Sequence, residues 1–169
     1  MADIETSPLP DGVQRVRLAL EAARHAHAPQ MLDGAARTAQ QAADALGVAL
    51  GQIAKSIIFR RLPDDAAVLV ITSGDRRVDE AKVSALVCEP GQQLGRADAE
   101  FVKRKTGFAI GGVSPLAHAE PALTLIDREL FRFEEIWAAA GHPHGVFRLR
   151  PADLERMTGA PVADVVASA

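Results

Sequence analysis

The chain lacks most of what would mark a secreted, membrane-spanning or metal-stapled protein. It has a single cysteine, Cys88. One cysteine excludes an internal disulfide framework and a cysteine-based zinc site, so a reducing, cytoplasmic setting is the expectation. No apolar run approaches the roughly 20 residues needed to span a membrane, and no membrane partner is expected. The first residues carry Asp3 and Glu5 and lack the basic-then-apolar pattern of a signal peptide. Tyrosine is absent and tryptophan occurs once, at Trp137, which argues against a base-stacking platform for single-stranded nucleic acid. The net charge of −3 is not the strong basic field of a protein that coats nucleic acid. It leaves room for contact with one end of an RNA. Arg76-Arg77, Lys103-Arg104-Lys105, and Arg148 with Arg150 are local basic groups. Each also reads as ordinary solvated surface.

What is present fits one domain. The 169 residues are 48% hydrophobic and 24% charged, enough for a single core of ordinary size. Residues 1–10 are expected to form a flexible arm and 11–169 the domain. Val13, Val16, Leu20 and Ala23 recur at helical spacing, which predicts a helix over 11–23. An exposed connection over 30–37 leads to a second helix. Thr38-x-x-Gln41 has the form of a capping box, and Gly47 is a stop. Two apolar strands follow, Ile53 to Phe59 and Ala67 to Thr72, separated by the turn Pro63-Asp64-Asp65. Asp79 and Asp98 begin helices, the second closed by Gly107. Short strands are predicted over 108–110, 122–126 and 146–149. A helix over 128–140, capped by Asp127 and ended by Gly141, is predicted from the stripe Leu130, Phe133, Trp137 and Ala140. Pro151 opens a last helix that ends at Gly159. Helices and strands are interspersed without strict alternation, which predicts an α+β fold with a mixed sheet.

Lys55 is the most informative residue. It lies within Ile53-Ala54-Lys55-Ser56-Ile57-Ile58-Phe59. Strand side chains alternate faces, so it shares a face with Ile53, Ile57 and Phe59. A lysine there is costly unless it is paired or solvated by a cleft. It is either a working residue or an edge lysine whose stem reaches to solvent. The second feature is Gly111-Gly112-Val113-Ser114-Pro115. Two glycines admit positive φ and close backbone approach, and such a loop can offer N–H groups to an anion. An ordinary tight turn is the plainer account. The loop lacks the lysine and hydroxyl of a Walker motif. Gly141-His142-Pro143-His144-Gly145 holds two histidines two apart. With no third ligand nearby in the pattern, acid–base work suits His142 and His144 better than a metal. His25 and His27 read as exposed, and His118 as a neighbour of the glycine loop. Ser56, Ser73 and Ser114 stand in no Gly-x-Ser-x-Gly elbow, and Cys88 reads as a small core residue.

Taken in order, the Lys55 strand, Ser73-Gly74-Asp75-Arg76-Arg77-Val78-Asp79, Thr106 to Pro115, and Gly141 to Gly145 resemble the YbaK family of aminoacyl-tRNA deacylases. The family's fold also occurs as the editing domain inserted in bacterial prolyl-tRNA synthetases. The likeness runs from about Thr38 to Val165. It implies a YbaK-like domain with a mixed, curved sheet surrounded by helices. It implies hydrolysis in trans of a wrong, small amino acid from a tRNA, often tRNA(Pro), with the substrate's own ribose hydroxyl activating water and no metal or other cofactor. The partner implied is the acceptor end of an aminoacyl-tRNA, with or without a synthetase. The family's essential lysine maps onto Lys55, and its Gly-x-x-x-Pro loop onto Gly111 and Pro115. The resemblance implies that Gly112, Val113 and Ser114 line the aminoacyl pocket and that Lys55 engages the terminal adenosine region. Ser56, His142 and His144 are the further substrate-contact candidates. Ser56 stands where several alanine-specific members have asparagine, so alanine, serine, threonine, cysteine and 2-aminobutyrate all remain candidate cargoes. A catalytically silent tRNA- or synthetase-binding module is the alternative.

Overall fold

Local signals account for most of the elements. The structure, a computed structural model, describes residues 9–33 and 38–168. The expected arm over 1–10 lies outside the described residues as far as position 8, as does the end of the 30–37 connection. Helix α1 (Asp11–Ala22) buries Val13, Val16 and Leu20 almost completely. Each such side chain contributes about 1.5–3 kcal/mol. Helix α2 (Ala39–Leu46) has the predicted capping box. Thr38 Oγ1 accepts from the Gln41 backbone N–H at 3.1 Å, Gln41 Oε1 accepts from the Thr38 N–H at 3.3 Å, and Gly47 closes the helix with φ 70°. Such a cap is worth about 1 kcal/mol. Asp79 caps α3 (Glu80–Val87), Asp98 caps α4 (Ala99–Thr106), and Pro151 begins α5 (Pro151–Thr158).

The strands are β1 (Gln30–Met31), β2 (Ile53–Leu62), β3 (Ala66–Ser73), β4 (Gln93–Arg96), β5 (Leu123–Asp127), β6 (Ile136–Ala139), β7 (Gly145–Leu149) and β8 (Val162–Ala163). They form one mixed sheet in the order β1-β7-β6-β2-β3-β5-β8, with β4 also paired to β2. The fold is α+β, as expected. The β2–β3 hairpin is antiparallel, with Lys55 opposite Thr72. β2–β6, β3–β5 and β5–β8 are parallel.

The two faces of the sheet are packed differently. Ala54, Leu69, Ile71, Ile136, Phe147 and Leu149 join Val16 and Leu20 of α1, Val102 of α4 and Leu154 of α5 in one large core. The opposite face carries two smaller clusters. Ile53, Trp137 and Val146 pack with Ala43 of α2, and Phe59, Val68 and Val70 pack with Val83 of α3. Lys55 lies on that second face, in the break between the two clusters.

Four expectations are corrected. The helix over 128–140 is instead a 3-10 turn, Arg128–Arg132, followed by β6. Asp127 does cap the turn, accepting from the Glu129 N–H at 2.8 Å. Beyond it, Ile136 faces the large core and Trp137 the opposite cluster. A strand buried on both faces has no polar alternation to betray it. Residues 108–110 are a loop, not a strand: the Phe108 N–H donates to the Thr106 hydroxyl at 3.0 Å instead of to a neighbouring strand. The expected connection at residue 30 begins as β1, on the edge of β7. His25 and His27 are half-buried, and the His25 ring packs edge-on against Phe147 with centroids 6.0 Å apart.

Candidate active site

The site arises from a gap in the sheet. On its outer edge β2 pairs with β6 only at Ile53 and Ala54, and with β4 only from Phe59 to Leu62. Among the described residues, no strand pairs with that edge over Lys55–Ile58. A cleft of about 370 Å³ opens there. Its walls come from β2, from Ala39 and Ala42 of α2, from Trp137, and from Ile110, Gly111 and Val113 of the glycine loop. Among the described residues, Lys55 is the only ionisable one lining it, and no carboxylate or histidine does so. Ser56 also lines the cleft, and its Oγ is buried without a hydrogen-bond partner. A buried polar atom left unpaired is rare in folded proteins.

Lys55 borders a second, more open depression of about 540 Å³. Arg76, Arg77 and Arg96 line that groove, opposed by Glu80. Lys55 Nζ donates to the Arg76 carbonyl oxygen at 3.2 Å. Burial pushes its pKa below the ordinary 10.5, and the carboxylates of Asp75 and Asp127 work against that fall. Both carboxylates are firmly held. Asp127 is fully buried and accepts from the Ser73 N–H at 3.0 Å and the Thr72 hydroxyl at 3.1 Å. Arg132 donates to Asp75 at 2.8 Å, and that bond, more than the one from Ser73, holds the Asp75 carboxyl below the usual carboxylate range. The Ser73 hydroxyl donates to the Gly51 carbonyl at 2.6 Å and accepts from Arg132 at 2.8 Å. It is a structural linchpin with no room for nucleophilic work. Sequence reasoning marked the 73–79 segment and Asp127 as a cap, but missed Arg132 and the hold of Asp127 on Thr72 and Ser73.

The glycine loop is buttressed from behind. Gly111 has φ 92° and open space where a Cβ would stand, whereas a Cβ on Gly112 would come within 2.8 Å of the His142 backbone. Positive φ explains the first glycine, and close approach of two loops explains the second. Gly112, Val113, Ser114 and Pro115 are buried. Of these only Val113 lines the cleft, while Gly112, Ser114 and Pro115 stand behind the wall. His118 donates from Nε2 to the Ser114 carbonyl at 2.6 Å, since a carbonyl only accepts, and burial pushes its pKa below 6.5. Its ring meets Phe108 edge-on. Arg15 of α1 stacks 4.5 Å over the Phe108 ring and donates to the carbonyls of Thr106 and Ala117. Arg15 escaped the sequence reading because its partners lie about a hundred residues away.

His142 and His144 sit in the β6–β7 turn. His142 Nδ1 accepts from the His144 N–H at 3.0 Å, and their rings are 5.5 Å apart. The cleft wall between them is Pro143. Cys88 is a half-buried cap at the end of α3. Among the described residues, no three His, Cys, Asp or Glu side chains are grouped to hold a metal ion. No helix among them is long and apolar enough to cross a membrane.

Comparison with known proteins identifies this arrangement. Residues 33–157 match the model of the aminoacyl-tRNA editing domain. The Bacillus subtilis (strain 168) protein YwhH is 31% identical over 121 residues, covering 72% of this chain and 74% of that one. A proline–tRNA ligase from Thermoanaerobacter sp. (strain X514) is 26% identical over 94 residues, which are 56% of this chain but only 16% of the ligase. A crystal structure of a proposed trans-editing enzyme for prolyl tRNA synthetase superposes with a TM-score of 0.87 at 39% identity, covering 95% of this chain and 100% of that one. The chain therefore belongs to the aminoacyl-tRNA editing domain family, the YbaK-type family that its ordered motifs resemble.

Proposed function

We propose that the protein is a trans-editing deacylase that hydrolyses the ester of a small, wrong amino acid from a tRNA, with mischarged tRNA(Pro) the first substrate to test. One observation carries the reading: Lys55 stands on the rim shared by a small apolar cleft and an arginine-lined groove. An aminoacyl-tRNA end has the matching halves, a small side chain and a phosphodiester chain, joined at the ester. The cleft admits a small side chain and excludes a large one by its walls. Exclusion suits editing, because attraction separates one methylene by only about 1–3 kcal/mol.

Water adds to the ester carbonyl carbon and the bond to the ribose oxygen breaks, giving free amino acid and a ribose hydroxyl. Among the described residues, no carboxylate or histidine lines the cleft to take the proton from water. The vicinal ribose hydroxyl of the substrate fills that role, and the chain supplies position and charge. The Lys55 ammonium anchors the terminal nucleotide or the developing oxyanion. Ser56 Oγ, buried without a partner, gains one from a polar group of the substrate. Gly111 and Val113 hold the cleft open, and Gly112, Ser114, Pro115, His142 and His144 keep the two loops in register. The prolyl-tRNA ligase relative and the trans-editing structure support the choice of tRNA(Pro). A synthetase partner that hands over mischarged tRNA fits the same reading.

The test is a deacylation panel of alanyl-, seryl-, threonyl-, cysteinyl- and 2-aminobutyryl-tRNA(Pro), with prolyl-tRNA(Pro) as the control. Hydrolysis of at least one small cargo with prolyl-tRNA(Pro) spared is the expected result. Binding without hydrolysis of any mischarged tRNA overturns it in favour of a silent binding module.

A further inference from the structure

A second basic cluster lies away from the groove that Lys55 borders. The end of α1, the end of β7 and the start of α5 enclose a depression of about 320 Å³. Arg24, His25, His27, Arg148, Arg150 and Arg156 line it, with Glu135 and Asp153 as its only carboxylates among the described residues. Four arginines against two acids leave an excess of positive charge, in a chain whose net charge is −3. Glu135 pairs with Arg148 at 3.5 Å, and Asp153 with Arg156 at 3.5 Å. Arg24 and Arg150 are exposed and have no ion-pair partner among the described residues.

The cluster is a formed surface. His25 Nε2 donates to the Arg148 carbonyl at 2.7 Å, and His27 Nδ1 accepts from Arg148 Nη2 at 3.3 Å. Arg156 donates to the Ala23 carbonyl at 3.0 Å. Three elements distant in sequence are thereby tied together around the depression. Arg24 is held at φ 57°, a conformation uncommon for a residue with a side chain.

Its place in the sheet connects it to the cleft. Arg148 pairs with Trp137, and Trp137 pairs with Ile53. Directly paired residues share a face, so Arg148 emerges on the face that carries Trp137 and Ile53, both of which line the cleft. Two strand spacings put it about 10 Å from β2. The Arg77 and Arg96 groove lies toward the other end of β2, where Arg96 pairs with Phe59. The two basic surfaces thus flank the cleft.

We propose that the Arg24–Arg150 cluster is a second RNA-phosphate site, binding the tRNA backbone beyond its terminal nucleotides. This rests on the function proposed above. Guanidinium forks match phosphate oxygens in pairs, and two arginines without acidic partners are free to do so. The site sets how tightly whole tRNA is held, not the chemistry at the ester.

The test compares full-length tRNA(Pro) with an oligonucleotide of its last four nucleotides, each titrated at several salt concentrations. The double variant Arg24→Ala/Arg150→Ala is expected to bind full-length tRNA roughly 10-fold more weakly near 0.1 M salt. The slope of log affinity against log salt is expected to fall by about 1.4–1.8, two phosphate contacts at ~0.7–0.9 each. Arg24→Lys/Arg150→Lys is expected to keep most of the slope, which separates charge from loss of packing. An unchanged slope in a wild-type background that deacylates tRNA overturns the second site and leaves the function standing. An equal loss for the four-nucleotide oligomer also overturns it. A wild-type chain that neither binds nor deacylates any tRNA sinks both.

Discussion

The two depressions on either side of Lys55 are built from the same strand and behave oppositely. The less open one is apolar, walled by Trp137, Val113 and the alanines of α2, with Lys55 as the one charge among its described residues. The open one carries Arg76, Arg77 and Arg96. Alternation along β2 and the gap in its outer edge produce both. On the proposed function the apolar cleft selects by shape, and its effects should appear in which cargo is accepted. On the same proposal the groove acts by charge, and its effects should depend on salt. Lys55 belongs to both, so its loss should cost the most.

Lys55→Ala is therefore expected to lower kcat/KM for deacylation by at least ~10²-fold, the scale of losing an electrostatic group at a reacting centre. The fold should survive. Burial makes the charged form unfavourable in the native state, so the substitution removes a desolvated charge and leaves the melting temperature equal or higher. A variant with a wild-type melt and near wild-type turnover removes Lys55 from the mechanism.

The cleft wall gives the next effect. Gly112→Ala drives a Cβ to within 2.8–3.0 Å of the His142 backbone, and backbone cannot swing aside as a side-chain tip does. About 1–3 kcal/mol of stability should be lost, with kcat falling as the two loops separate. Gly111→Ala meets no atom within 4 Å. Its cost is the positive φ alone, about 1–2 kcal/mol. Urea melts of the two variants should rank Gly112→Ala as the more damaging, and the reverse order would mean that loop contact is not what holds the wall.

How much of this was legible in the sequence follows the range of the interactions. Thr38 with Gln41, Asp79, Asp98, Pro151 and the turn between β2 and β3 rest on neighbours a few residues away, and each was readable. Lys55 was readable because a charge within an apolar strand is conspicuous. The gap in the sheet was not, because it depends on where β6 and β4, which are distant in the chain, stop pairing with β2. The same holds for Arg15, whose partners Thr106 and Ala117 no local pattern announces. The 128–140 helix misled for a related reason. Leu130, Phe133 and Trp137 match a helical stripe, but Leu130 and Phe133 pack toward the large core and Trp137 toward the opposite face of the sheet.

On the charged side, Arg77→Ala/Arg96→Ala is expected to raise KM roughly 3–10-fold with kcat little changed. Neither arginine has an ion-pair partner among the described residues, so stability should hold. The increase should shrink as salt rises, because screening weakens the wild type toward the variant. Salt-independent loss, or loss in kcat alone, would place these arginines in the cleft's business instead of the groove's.

The finest test is of Lys55 itself, by NMR titration of its ε-methylene. Burial outweighs the pull of Asp75 and Asp127, so Lys55 should lose its proton below 10.5, ahead of an ordinary lysine. The sign has a consequence for stability. Between the depressed native pKa and the unfolded value near 10.5, the unfolded chain binds more protons than the native one. The Lys55 contribution to stability therefore rises with pH across that window, and the destabilising charge is fully present below it. Lys55→Ala should flatten this rise. Asp75→Asn removes one of the two carboxylates that oppose the fall and should lower the Lys55 midpoint further. If that midpoint does not move, the carboxylate held by Arg132 is not coupled to Lys55, and the groove's charge is set by its arginines alone.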